Sequence, residues 1–172
     1  MKTRVIVFTA VASLGVALPA AAQRAGTIEV GAFARYVDFD NTLGLGSGVG
    51  AGARVAVYTE PGLALEVDIA RLSADARTYT PVHVRAVHNA PVGARLEGVV
   101  GAGYVRNWYG APSAAADQGL SVLLGLRYRL RDQSWLRLGA DLDAMVHTAE
   151  NTRFTFYNGN WGIQLGASVG FN

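Results

Sequence analysis

From Trp161 to Asn172 the chain alternates without a break, with Trp161, Ile163, Leu165, Ala167, Val169 and Phe171 set against Gly162, Gln164, Gly166, Ser168, Gly170 and Asn172. A period of two over that length describes a β-strand with one apolar face, and it excludes an amphipathic helix, whose apolar positions recur every three to four residues. The same period runs through Leu136, Leu138, Ala140, Leu142, Ala144 and Val146, opposite Arg137, Gly139, Asp141 and Asp143. It runs again through Leu120, Val122, Leu124, Leu126, Tyr128 and Leu130, opposite Ser121, Gly125, Arg127 and Arg129. Less regular repeats predict strands over Ile28–Tyr36, Val49–Tyr58, Leu63–Ile69, Val82–His88 and Leu96–Val105, for eight in all. In Leu96–Val105 valines and glycines fall on both sides, so its phase stays open.

The connections sort into two classes that alternate along the chain. Tight turns are predicted at Glu60-Pro61-Gly62, Ala90–Gly93 and Asp132-Gln133-Ser134, and longer loops at Asp38–Ser47, Ser73–Thr80, Asn107–Gln118 and His147–Arg153. That order fits an antiparallel up-and-down meander with both ends of the chain on the tight-turn side. Gly44, Gly46, Gly48, Gly50 and Gly52 are spaced by two, with no Lys-Ser/Thr after them, so they do not form a phosphate-cradling loop. Glycines at that period leave room on the crowded inner face of a small barrel.

Two cationic residues within Met1–Arg4, the apolar run Val5–Leu18 and the small residues Ala20-Ala21-Ala22 have the layout of a secretory leader. Residues 1–22 are therefore expected to be cleaved, leaving 23–172 as one barrel domain. Past the leader no run approaches the ~18 apolar residues a spanning helix needs, so any crossing of a membrane uses strands. The remainder holds thirteen arginines, thirteen acidic residues and no lysine. This neutral balance gives no reason to expect nucleic acid as a partner. With no cysteine in the chain, disulfides, thiol chemistry and a lipidated N-terminal cysteine are excluded.

Alternation alone does not say which face looks out: a membrane barrel is apolar outside, a soluble secreted ligand-binding barrel apolar inside. Aromatic residues gather near strand ends, with Phe39, Tyr79, Tyr104, Trp108, Tyr109, Phe154, Phe156, Tyr157 and Trp161 toward the long loops and Tyr58, Tyr128, Trp135 and Phe171 toward the turns. Two such belts match the interfacial girdles of a membrane barrel. The polar face carries Glu29, Glu66, Asp68, Glu97, Asp141 and Asp143 against Arg35, Arg54, Arg85, Arg127, Arg129 and Arg137, six against six. Such a set suits pairing inside a narrow lumen, because arginine's planar fork satisfies a carboxylate where water is scarce. The last strand resembles the C-terminal assembly signal of outer-membrane proteins, with Gln164, Gly166, Val169 and Phe171 in its polar, glycine, apolar and aromatic places and Asn172 as one extra residue.

With Val30-Gly31-Ala32-Phe33-Ala34-Arg35-Tyr36 and Gly101-Ala102-Gly103-Tyr104 added, the chain resembles the N-terminal transmembrane barrel of outer-membrane protein A-type proteins. The resemblance implies an all-β, eight-stranded transmembrane barrel in the bacterial outer membrane. Its expected partners are outer-membrane lipid, lipopolysaccharide and the barrel-assembly machinery, the last during insertion.

No constellation points to catalysis. His147, Thr148 and Glu150 fall in a loop, His83 and His88 on another strand, and Asp141 and Asp143 read as arginine partners. Asp38 and Asp40 read as a solvated turn, and the histidines and carboxylates show no metal-ligand spacing, so neither metal nor cofactor is expected. Two functions follow from the inner charges. Paired across the lumen they plug it, and the barrel is a structural or surface-interaction scaffold; exchanging partners, they admit small ions or solutes through a narrow channel.

Overall fold

The computed structural model describes residues 25–39, 46–75, 77–110, 115–148, 154–156 and 159–172. The strands are β1 (Ile28–Asp38), β2 (Gly48–Glu60), β3 (Leu63–Ala74), β4 (Arg77–Pro91), β5 (Leu96–Tyr109), β6 (Ala115–Arg131), β7 (Ser134–Thr148), β8 (Phe154–Phe156) and β9 (Asn160–Phe171). Each strand from β1 to β7 pairs antiparallel with the next, and β9 pairs with both β7 and β1, which closes the sheet. The short β8 pairs with Val146–Thr148 of β7, beyond the stretch Ser134–Asp143 that β9 covers. β8 and β9 together thus fill one position, and the result is a closed eight-stranded antiparallel β-barrel.

The strands run further toward the loop side than the alternation marks. β3 reaches Ala74 and β4 begins at Arg77, so strand occupies most of Ser73–Thr80, where a long loop is expected, and Asp75 follows β3 at φ 45°. The Asp75 carboxylate accepts a hydrogen bond from the backbone N–H of Gly46 at 2.6 Å, tying two neighbouring connections together. Likewise β5 and β6 run through Tyr109 and from Ala115, leaving 110–114 between them rather than 107–118. In both places polar residues interrupt the apolar outer face, Arg71, Ser73 and Thr80 in the first and Arg106 and Gln118 in the second, which hides the period without weakening the backbone pairing.

Large apolar side chains face outward on every long strand, among them Val55, Leu65, Ile69, Val84, Val100, Leu124, Leu138 and Leu165. Val100, Leu124 and Leu165 are 56%, 57% and 58% exposed, while Glu29, Arg54, Glu66, Asp68, Arg85, Ser121 and Asp141 point inward. Such a continuous apolar exterior is untenable in water and suits lipid, while closure leaves no long strand edge unpaired among the described residues. The face question is thereby settled against the soluble barrel. It also fixes the phase of β5, with Val99 and Val105 inside and Val100, Ala102 and Tyr104 outside.

The aromatic belts need correction. Tyr104, Trp108, Trp161, Tyr128 and Phe171 do face outward, but Phe39, Tyr79, Tyr109, Tyr58 and Trp135 are buried in the lumen. The side chains of Phe154, Phe156 and Tyr157 lie outside the described residues. Nearness to a strand end does not assign a face; parity does, and Phe39 follows the inward odd positions Phe33, Arg35 and Val37. On the loop side Phe33, Val37, Phe39, Leu72, Tyr79 and Tyr109 form an apolar cluster inside the barrel. Phe39 meets Tyr79 edge-on at 4.7 Å. Gly52 makes this possible, since a Cβ there would stand 2.5 Å from the Phe33 ring.

Candidate functional site

Below the aromatic cluster the lumen is filled by charged side chains in three tiers. The first, nearest the loops, draws Arg35 from β1, Asp68 from β3, His83 and Arg85 from β4, and Asp141 and Asp143 from β7. Arg35 bonds Asp141 directly and lies 3.5 Å from Asp143 and 3.7 Å from Asp68. Arg85 bonds the other oxygen of Asp68. The His83 ring bridges two carboxylates, with Nδ1 2.8 Å from Asp68 and Nε2 3.2 Å from Asp143. Gln164 donates to Asp141 at 3.2 Å.

The second tier holds one bidentate pair, Arg137 to Glu66 at 2.6 and 2.8 Å, with Gln164 accepting from Arg137 at 3.4 Å. Arg54 shares this level. It donates to Ser168 Oγ at 3.4 Å, and no described carboxylate lies within ion-pair distance of it. In the third tier, near the turns, Arg127 bonds Glu29 at 2.9 Å and approaches Glu97 at 3.3 Å. Arg129 reaches Glu97 at 3.3 Å from the rim, its side chain 22% exposed. The Tyr58 hydroxyl donates to Glu29 at 3.0 Å and accepts from Arg127 at 2.6 Å and from Asn89 at 2.9 Å. Trp135 lies under the Arg127 guanidinium at 4.4 Å.

All twelve charges expected on the inner face are thus drawn together there, Arg129 at the edge. Their companions His83, Tyr58, Asn89, Gln164, Ser168 and Trp135 lie outside the charge count taken from the sequence, although the parity of their strands places each of them inward. On β9, Gln164 and Gly166 face the lumen while Val169 and Phe171 face outward.

The same geometry argues against two chemistries. Ligand atoms of His83, Asp141 and Asp143 come within 4.8 Å of one another, as a metal site requires. The Arg35 guanidinium, however, bonds Asp141 and lies within 3.5 Å of Asp143 and His83, so the place of a cation is taken by the chain's own. A catalytic carboxylate pair is disfavoured for the same reason, since Asp141 and Asp143 are engaged by Arg35, Gln164 and His83. His88 faces outward, Asp38 accepts from Trp161 Nε1 at 2.9 Å, and Asp40, Glu150 and the side chains of His147 and Thr148 lie outside the described residues.

The chain matches no protein-family model and no curated protein. Among solved structures it is similar to the N-terminal β-barrel domain of OprF from Pseudomonas aeruginosa, with 16% identity and a TM-score of 0.63 over 87% of this chain and 100% of that one. Neisserial surface protein A gives 20% identity and a TM-score of 0.64 over 85% and 99%. Outer membrane protein OprG of Pseudomonas aeruginosa gives 13% and 0.63 over 88% and 98%. Identities this low speak to architecture, and what they show agrees with the closed sheet and its apolar exterior: the chain has the fold of the small eight-stranded outer-membrane β-barrels.

Proposed function

We propose that the protein is a non-catalytic barrel of the bacterial outer membrane, exported with a cleaved leader, whose lumen is closed by its own charges and whose role is structural or surface-interacting. The observation that carries this is the stack of three tiers, each reaching across the barrel, with an apolar cluster above them. An eight-stranded barrel has an interior just wide enough for side chains to fill it, and buried carboxylates held by arginine resist displacement by passing ions. Outer-membrane lipid and lipopolysaccharide surround the apolar band. Gln164, Gly166, Val169 and Phe171 serve as the signal read by the assembly machinery during insertion.

One observation favours a second reading, a narrow channel for small ions. Arg54 is a buried cation without a described carboxylate partner, the kind of group around which water and an anion gather. Conductance of the refolded chain in a planar bilayer, with insertion checked by protease protection, separates the two readings. The closed scaffold predicts silence from inserted protein, whereas discrete steps that change in Arg54→Gln make it a channel.

A further inference from the structure

Apart from Arg54, the inner arginines are matched by carboxylates; two outer ones are not. Within the strands, away from the turns and loops, the outward-facing cationic residues among those described are Arg71 on β3 and Arg106 on β5, each three residues from the loop-side end of its strand. Both are exposed, and no described carboxylate pairs with either. Arg106 instead lies over the ring of the exposed Trp108, 5.3 Å from its centroid. The opposite wall has a different outer rim, where Asp38 takes a hydrogen bond from Trp161 and Trp161 packs on Tyr36 at 5.7 Å.

Register brings the two arginines together. Val82 of β4 pairs with Ile69 of β3 on one side and with Arg106 of β5 on the other, and Arg71 is one outward step beyond Ile69. Two strand spacings across and one step along put their Cα atoms about 12 Å apart. An arginine side chain spans roughly half of that, so both guanidiniums reach a single anion between them. The outward residues separating them, Thr80 and Val82, are modest in size, and Thr80 adds a hydroxyl.

We propose that Arg71 and Arg106, with Thr80 and Trp108, form a clamp for a phosphate group of the glycolipid in the outer leaflet, namely a phosphate on the glucosamine headgroup of lipopolysaccharide. The inference rests on the outer-membrane reading above. Position selects the occupant: in outer-membrane barrels the short turns face the periplasm and the longer loops the outside, so the clamp opens sideways at the outer-leaflet limit of the apolar band, where acyl chains give way to headgroups, and its ligand is anchored in that leaflet. Charge selects the group, because a guanidinium pair binds phosphate bidentately. Trp108 supplies an apolar body and a polar edge suited to that interface.

The test uses the chain refolded into phosphatidylcholine vesicles containing either phosphorylated lipid A or lipid A stripped of its phosphates. Retained lipid is counted by native mass spectrometry after extraction in mild detergent. Wild type is expected to keep the phosphorylated form about tenfold better, the equivalent of one or two charge-assisted hydrogen bonds. The double variant Arg71→Gln/Arg106→Gln loses that preference, Arg71→Lys/Arg106→Lys keeps part of it, and Arg131→Gln at the turn side leaves it unchanged. A wild type that holds both lipids equally, or a double glutamine variant that keeps the preference, overturns the clamp. Failure of wild type to become protease-protected in either vesicle overturns instead the membrane reading, and the clamp with it.

Discussion

Arg35 and Arg54 stand on neighbouring strands, both pointing into the lumen and both only 2% exposed, yet they keep very different company. Arg35 has three carboxylates around it from β3 and β7, while Arg54 has a serine hydroxyl at 3.4 Å. Burying a guanidinium forfeits its hydration, and only close counter-charges with good geometry restore that loss. The contrast therefore separates a cation that organises the lumen from one that is merely accommodated there.

The largest effect is expected where the comparison is sharpest. Arg35→Met removes the cation from a tier that retains Asp68, Asp141 and Asp143, leaving carboxylates buried near one another with Arg85 and His83 to share. Breaking such a set from one side costs about 3–5 kcal/mol. Urea unfolding of the vesicle-inserted variant should show a loss in that range, and adding Asp141→Asn should recover part of it. If Arg35→Met unfolds at the wild-type midpoint, the first tier does not hold the barrel together.

A second test moves the charge to the other face. Leu124 points outward and is 57% exposed, so Leu124→Arg places the same guanidinium in hydrocarbon, where the expected loss is about 2–4 kcal/mol near the midplane. The neighbouring outward position Leu138, paired with Leu126 on β6, should behave alike. Unfolding free energies unchanged by either substitution would contradict the outward assignment on which every inner pair depends.

Particular residues show how much of this was legible in the sequence. Trp161 to Phe171 exposes its period directly, because small and polar residues alternate there with apolar ones, and the closed sheet follows from repeating that reading. Tyr79 and Tyr109 suit the outer girdle by sequence yet sit in the lumen, because amphipathic aromatics fit both a lipid interface and a tight interior; only strand phase separates the two. The equal totals of arginine and carboxylate were readable, whereas the partners were not. Arg137 on β7 bonds Glu66 on β3, a match across the barrel that depends on how the strands are staggered. Nor do equal totals imply one-to-one pairs: Glu97 serves both Arg127 and Arg129, and Arg54 is left with Ser168.

The smallest expected effect belongs to Arg54, and it is the more informative for being small. Its nearest acidic neighbours in the lower tiers are already engaged, Glu66 by the bidentate Arg137 and Glu29 by Arg127 and Tyr58. Removing the guanidinium therefore strands neither of these carboxylates, and Arg54→Met replaces a poorly compensated buried charge with an apolar side chain of similar reach. Such replacements are often neutral or stabilising, so the urea midpoint should lie within about 1 kcal/mol of wild type or above it. A loss as large as that of Arg35→Met would mean that Arg54 balances the tiers over a longer range than any hydrogen bond. The lumen would then have to be treated as one coupled charge system rather than as three separable layers.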